Sequence, residues 1–185
     1  MYKYLSAIIL IALPTAILAA ELAEISNYRS YNETFASSGQ PTALQLELVA
    51  KSGFDRVIYL AFTDNETAVE FEDRIVKKLG MEYVHIPIIF HQPTLADFHL
   101  FSAVMRQSPD AKTLLHCQIN LRASTFSFLH RVINLDVPML EAKEDLDSVW
   151  EPDEVWFRFI QTVLGHHDIG HDCDGCDWGS NEFIE

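Results

Sequence analysis

Strand-like and helix-like segments alternate along most of this chain, and the alternation predicts an α/β fold with three layers, a mostly parallel central sheet flanked by helices. Residues 56–62, 82–90 and 112–117 are rich in β-branched, aliphatic and aromatic side chains and have the length of buried strands. A run with helical spacing of apolar residues follows each of them. Because right-handed crossovers bring the carboxyl ends of parallel strands to one edge, we expect the functional site at that edge.

The helices are expected where turn-forming residues bracket amphipathic runs. Pro41 can open a helix that Gly53 ends, and Gly80 ends the next one after Lys77 and Lys78, which interact favourably with the helix dipole. The sequence predicts helices at residues 41–52, 63–80, 94–108 and 122–134, and at about 139–149 and 153–163. Residues 21–40 are polar and are assigned neither helix nor strand.

The first twenty residues have the pattern of a cleavable signal peptide. A short start with Lys3 precedes an uncharged apolar run that ends in small residues at Ala19 and Ala20. A membrane anchor is the alternative, but Pro14 interrupts the run, which is short for a bilayer span. We therefore expect a periplasmic or secreted protein that is not stably inserted in a membrane after cleavage. Its predicted parts are a signal peptide (1–20), an α/β domain (21–165) and an acidic tail with His and Cys residues (166–185).

The chain is acidic, with 27 Asp and Glu against 13 Lys and Arg and a formal net charge of −14. A nucleic acid is therefore not an expected partner. The excess of acid lies mostly in residues 141–185, so the rest of the chain is closer to neutral. An anion-binding site can still exist there, because nearby donors outweigh distant, screened charges.

The three cysteines, Cys117, Cys173 and Cys176, have different expected states in an exported protein. Cys173 and Cys176 are expected to form a local disulfide, since a CxxC turn closes at little entropic cost. Together with the nearby histidines they offer a zinc or copper site as an alternative, but a single CxxC is weak support for one, and we predict no metal and no cofactor. Cys117 then remains as the free thiol, protected from oxidation by burial.

The segment HCQINLRAS (residues 116–124) places Cys117 at the end of a strand and Arg122 at the start of a helix. Unpaired backbone N–H groups at a helix N-terminus can hold a tetrahedral anion, and the same field favours the nucleophilic thiolate. A guanidinium can bind two oxygens of a phosphoryl group. This arrangement suits attack on phosphorus through a cysteinyl-phosphate intermediate.

Four motifs resemble those of the cysteine-based protein tyrosine and dual-specificity phosphatases, and most closely a small bacterial phosphatase-like family of unknown function. That family is related to the phosphatase-like domain of the beta-lactamase hydrolase-like proteins. The motifs are SSGQPT (37–42), KSGFDRVIYL (51–60), LGMEYVHIPI (79–88) and HCQINLRAS (116–124). The resemblance covers about residues 28–165 and implies a cysteine phosphatase-like fold. It also implies a substrate that is a phosphorylated small molecule or phosphoprotein.

The resemblance implies a role for each residue of the loop. Cys117 is the expected nucleophile, Arg122 clamps the phosphate, and Ser124 helps the thiolate leave. His116 is expected to tune the thiol by hydrogen bonding. The residues expected to bind phosphate are Gln118, Ile119, Asn120, Leu121, Arg122, Ala123 and Ser124.

The general acid is expected in the segment IFHQPTLADF (89–98), where Asp97 and His91 are the candidates. Asp97 also suits the first turn of a helix, where an acidic side chain is stabilised by the dipole.

The loop departs from the usual phosphatase pattern in two ways. It has four residues rather than five between Cys117 and Arg122, and no glycine. Asn120 is expected to supply the left-handed conformation that a glycine would otherwise provide.

Two alternatives follow from these departures. The short loop is similar to that of the rhodanese sulfurtransferases, which would carry a persulfide on Cys117. A catalytically weak phosphate-binding module is the other alternative, because the glycine is missing and the acid is uncertain.

Overall fold

The computed structural model describes residues 14–179, and its centre is a five-stranded sheet in the order β1-β2-β5-β3-β4. The edge strand β1 pairs antiparallel with β2, and the other three pairings are parallel. This confirms the mostly parallel sheet. The strands are β1 (Arg29–Ser30), β2 (Phe35–Ser38), β3 (Arg56–Tyr59), β4 (Glu82–His85) and β5 (Thr113–His116).

Helices lie on both faces of the sheet. They are α1 (Pro14–Leu22), α2 (Ala43–Lys51), α3 (Glu72–Lys78), α4 (Leu95–Gln107), α5 (Leu121–Asn134), α6 (Met139–Asp147) and α7 (Glu154–His166). One buried cluster joins α1, α2 and α3 to one face through side chains such as Leu46 and Val57. A larger, aromatic cluster joins the later helices to the other face through Phe126 and Trp156. The predicted three-layer α/β fold is confirmed.

The strand register determines where the site lies. Ser38, Tyr59 and His116 are the last residues of β2, β3 and β5, and they are level with one another across the sheet, as are Tyr59 and His85 of β4. Cys117 follows directly at the end of the central strand β5. Chain segments from all the parallel strands therefore leave the sheet around this cysteine, at the edge where ligands bind in such folds.

Several predicted boundaries are wrong. The strands predicted at residues 56–62 and 82–90 end at Tyr59 and His85, and the strands β1 and β2 were not predicted. The helix predicted at 63–80 begins only at Glu72. Before it, Asn65 accepts hydrogen bonds from Thr67 N and Oγ1 at 2.9 and 2.7 Å, so its side chain stabilises turns instead of a helix.

The chain after α7 folds back onto the domain. Trp178 is buried, with its ring 5.9 Å from Phe128 and 5.1 Å from Phe157, and Lys143 Nζ donates to Asp177 O. Trp178 of the predicted tail is thus packed against the preceding domain. Residues 180–185 lie outside the described residues.

Residues 1–13 of the predicted signal peptide also lie outside the described residues, and its last residues form the start of α1. Between residues 14 and 179, none of the helices has both the length and the apolar character needed to cross a bilayer.

Gly39 offers a direct test of how closely the chain packs behind the cysteine. A Cβ atom there would lie 2.9 Å from Gln118 O and 3.0 Å from Ser26 Cβ. We expect Gly39→Ala to lower the free energy of unfolding by about 1–3 kcal/mol, the usual cost of overpacking. Urea denaturation measures this change.

The matched control is Gly165→Ala, in α7, where a Cβ atom would meet nothing within 4 Å. Replacing a helical glycine by alanine stabilises by up to about 1 kcal/mol. Equal effects of the two substitutions would contradict the close packing at Gly39.

Candidate active site

Cys117 lies at the bottom of a loop between β5 and α5. Its side chain is almost completely buried, and its backbone N–H donates to Ser38 O at 3.3 Å. It is a free cysteine, whereas Cys173 and Cys176 are joined by a disulfide, as predicted. The buried thiol is therefore held at the carboxyl edge of the sheet, with α5 beginning four residues later.

Asn120 makes the turn that allows the loop to be short. Its φ of 76° and ψ of 1° lie in the left-handed region, as predicted from its residue type. The side chain is completely buried, and Nδ2 donates to Asn27 O at 2.6 Å. Its carbonyl accepts from Ser124 N at 2.8 Å and so begins α5. A single asparagine thus links the cysteine loop to the first turn of the helix.

The carbonyl groups of the loop are held by the neighbouring backbone segments. Gln118 O accepts from Gln40 N at 2.9 Å, and Ile119 O accepts from Asn27 Nδ2 at 3.0 Å. The first N–H groups of a helix have no partner within the helix. The two loop carbonyls are bound to neighbouring segments, and the first N–H groups of α5 have no partner within the helix. The loop is therefore suited to bind an anion.

Arg122 is buried in the first turn of α5, and three contacts fix its guanidinium. Nε donates to Ile88 O at 3.1 Å and Nη1 to Gln118 Oε1 at 3.3 Å, while the group lies 5.0 Å from the centre of the Phe90 ring. Within residues 14–179, Nη2 has no protein acceptor. This nitrogen remains available to a ligand, and the charge is already oriented before any ligand binds.

Behind the cysteine, His116 is buried between an aromatic ring and a carboxylate. Its ring stacks on Tyr59 with 4.6 Å between centroids, and Nε2 lies 3.2 Å from Glu72 Oε1. That contact is not aligned as a hydrogen bond, and neither ring nitrogen of His116 has a hydrogen-bond partner among the described residues. The ring thus adjoins Glu72 and Tyr59, and its predicted hydrogen bond to the thiol is not formed.

The surroundings of Glu72 and Tyr59 show how strongly this region is buried. Gln40 Nε2 donates to Glu72 Oε1 at 3.0 Å, so the carboxylate has a neutral donor as well as the imidazole beside it. Burial raises the pKa of Tyr59 to about 12, and the Glu72 and Cys117 charges contribute in the same direction. Asn65 Nδ2 donates to the Tyr59 hydroxyl at 2.7 Å. The phenol is therefore protonated at neutral pH.

The two candidates for the general acid have different surroundings. Asp97 forms a capping box at the start of α4, where Oδ2 accepts from Thr94 N at 2.8 Å and from Thr94 Oγ1 at 2.7 Å. His91 is exposed, and its ring packs edge to face on Phe90, 5.3 Å between centroids. Phe90 also contacts Arg122, so His91 follows directly after a residue that packs on the guanidinium.

The hydroxyl groups that follow Arg122 bond to the helix backbone. Ser124 Oγ donates to Leu121 O at 3.1 Å, and Thr125 Oγ1 donates to the same oxygen at 3.0 Å. Ala123 is buried and contributes packing. The predicted assistance of Ser124 to the leaving thiolate would require its hydroxyl to rotate away from this carbonyl.

Sequence reasoning missed four residues that build the site. Gln40 and Asn27 donate to carbonyls of the loop, Glu72 adjoins His116, and the Phe90 ring lies against the guanidinium. Asn27 and Glu72 stand in polar stretches with no spacing signal. Gln40 belongs to the SSGQPT motif, which was the one available pointer to this region.

The fold is similar to those of several solved structures, whereas neither a protein-family model nor a curated protein sequence matches the chain. A protein from Shewanella putrefaciens CN-32, described as a candidate phosphatase of the DUF442 class, superposes with a TM-score of 0.73 and 28% identity. The match covers 82% of this chain and 99% of that one. Tk-PTP in its active form has a TM-score of 0.64 and 18% identity, covering 75% and 97% of the two chains.

A third neighbour is a variant of Pseudomonas aeruginosa TpbA in complex with phosphotyrosine, with a TM-score of 0.61 and 14% identity over 76% of this chain and 88% of that one. The first neighbour, at 28% identity, is described as a candidate phosphatase, and the other two share the fold of this chain. The predicted resemblance is thereby confirmed, and the chain has the fold of the protein tyrosine phosphatase-like cysteine phosphatases.

Proposed function

We propose that this protein is an exported cysteine-dependent phosphatase that hydrolyses a phosphomonoester through a cysteinyl-phosphate on Cys117. One observation supports the proposal above the others. The buried thiol, the unpaired start of α5 and the fixed Arg122 guanidinium lie on one short loop, and Asn120 closes this loop in the left-handed conformation. These groups are the nucleophile and the donors that phosphoryl transfer requires.

The reaction has two steps. The Cys117 thiolate forms a bond to phosphorus while the bond from phosphorus to the ester oxygen breaks, and the leaving oxygen receives a proton from a general acid. Water then attacks phosphorus and gives a proton to the conjugate base of that acid. The bond from phosphorus to sulfur breaks, which releases inorganic phosphate and the thiolate. In both steps the loop N–H groups and Arg122 bind the equatorial oxygens, whose charge they stabilise.

We propose His91 as the acid. The segment PIIFHQP (residues 87–93) passes Arg122 through Ile88 and Phe90, and His91 is its only titratable side chain. The carboxylate of Asp97 accepts two hydrogen bonds from Thr94, so this residue already serves as a helix cap. Asp97 is the second candidate, since a change in side-chain rotamer would release it.

Export is proposed from the first twenty residues, which have the signal-peptide pattern. The Cys173–Cys176 disulfide is consistent with an oxidising compartment. Burial protects the Cys117 thiol there, because oxidation of a thiol depends on its exposure.

A sulfurtransferase is the second candidate function, and the loop length favours it. Four residues separate Cys117 from Arg122, and a small loop suits a sulfane sulfur held as a persulfide. The phosphatase ranks first because the structural neighbours described above are phosphatases.

Activity toward an aryl phosphate tests the proposal. Cys117→Ser is expected to abolish hydrolysis of p-nitrophenyl phosphate, and Arg122→Ala to lower kcat/KM by roughly 10²–10³-fold, as loss of a transition-state donor does. The matched control is Arg106→Ala, an exposed arginine in the last turn of α4, which we expect to leave kcat/KM unchanged.

The same preparation distinguishes the second function. Reduced wild-type protein that hydrolyses no phosphoester, but gains one sulfur atom on Cys117 after thiosulfate and loses it to cyanide, would replace the phosphatase with the sulfurtransferase.

A further inference from the structure

The segments around the cysteine have an unusual charge distribution for a site that binds phosphate. Four connections follow the parallel strands at this edge, at residues 39–42, 60–71, 86–94 and 117–120. None contains Lys or Arg, and the second contains three carboxylic acids, Asp64, Glu66 and Glu70. Arg122 is the first basic residue after the loop. It can balance one phosphate, but a second or third anionic group would meet no cation in these connections.

Other basic side chains in nearby helices and at the adjoining edge strand are already engaged. Arg158 donates to Glu154 at 3.0 Å, and Arg29 donates to Ser148 Oγ at 2.7 Å. Arg74 lies over the Phe71 ring, 4.6 Å from its centre. Using any of these groups for a substrate anion would break an existing contact.

Acidic side chains also line part of a cavity that the buried carboxylate Glu72 adjoins. This cavity has a volume of about 350 Å³, and Glu70 and Asp73 line it together with Tyr83. Burial raises the pKa of Tyr83, and the negative charge of Glu72 raises it further. The cavity therefore has a negative potential, which repels an anionic substituent.

Large apolar side chains are exposed on three successive connections at the same edge. Phe62 follows β3, Ile89 follows β4 and Ile119 follows β5, with exposed fractions of 42%, 54% and 50%. We call these three residues the apolar rim. Ile89 lies between Ile88, whose carbonyl accepts from Arg122, and Phe90, whose ring contacts the guanidinium. Ile119 is part of the cysteine loop itself. Single exposed apolar residues are ordinary, but these three follow the ends of the adjacent strands β3, β4 and β5 at one edge of the sheet.

We propose that the substrate carries one phosphate on an apolar, uncharged body, and that the apolar rim contacts this body while the loop binds the phosphate. This inference rests on the proposed phosphatase function and specifies its substrate class. Polyanions such as inositol polyphosphates and nucleoside triphosphates are excluded as substrates. Their additional anionic groups, beyond the one that Arg122 binds, would meet acidic and apolar side chains of the four connections, which contain no Lys or Arg.

Competitive binding to the inert Cys117→Ser variant tests the ligand class without turnover. The two probes are 1-naphthyl phosphate and inositol hexakisphosphate, measured by calorimetry. Because the apolar rim would bury part of the naphthyl ring, we expect 1-naphthyl phosphate to bind at least about tenfold more tightly than inositol hexakisphosphate. Adding Ile89→Lys to this variant is expected to shift the ratio of the two dissociation constants at least about fivefold toward the hexakisphosphate, since it adds a cation beside Arg122.

Leu100→Lys in the same background is the matched control. Leu100 has the same exposed fraction as Ile89, 54%, but lies in α4, outside the four connections. We expect it to leave the ratio unchanged. Tighter binding of the hexakisphosphate to the Cys117→Ser protein, or an equal shift with Leu100→Lys, would overturn the inference.

The possible outcomes distinguish a failure of the proposed ligand class from a failure of the proposed phosphatase function. If wild-type protein hydrolyses the hexakisphosphate faster than the naphthyl ester, and Cys117 is required, the phosphatase stands and the ligand class is overturned. If no ester is hydrolysed but the naphthyl preference is present, the phosphatase is overturned and the ligand class is supported.

Discussion

At Asn120 the backbone has a φ of 76°, a conformation that costs free energy for any residue with a side chain. The buried hydrogen bond from Asn120 Nδ2 to Asn27 O offsets that cost, because the amide would otherwise lack a partner for this donor. The reciprocal bond from Asn27 Nδ2 to Ile119 O holds the other side of the turn. Two asparagines thus fix a turn that a glycine usually makes, and the direction of the loop N–H groups depends on them.

A protein with a net charge of −14 can bind phosphate only if local groups dominate. Arg122 provides the local charge, and its buried contacts with Ile88 O and Gln118 Oε1 orient it in advance. The neighbouring carboxylate, Glu72, accepts a hydrogen bond from Gln40 and lies beside His116. The oriented guanidinium thus gives an acidic chain a local cation at one edge of the sheet.

The sequence predicted most helices and the three aliphatic strands, because β-branched runs and capping residues specify structure locally. The strand β2 (Phe35–Ser38) escaped prediction, since FASS has little strand character and becomes a strand only by pairing with β5. The helix predicted over residues 63–80 was too long because Asn65 bonds to neighbouring backbone.

In the site, Cys117, Arg122 and Asn120 were identified from the sequence because the loop is one contiguous motif. Glu72 and Asn27 were not, because Glu72 adjoins His116 from 44 residues away in sequence and Asn27 bonds to Ile119 and Asn120 from 92 and 93 residues away. Such contacts depend on the tertiary fold, and one sequence carries no local signal for them.

We propose that residues 118–121, a four-residue loop without glycine, form a phosphate cradle. The most direct measurement is a crystal structure of the Cys117→Ser variant grown with phosphate or tungstate. We expect one oxyanion within the loop, with N–H groups of residues 118–122 and the Arg122 guanidinium donating to it. A loop whose N–H groups point away from an empty site at saturating oxyanion, or an oxyanion bound without Arg122, would contradict it.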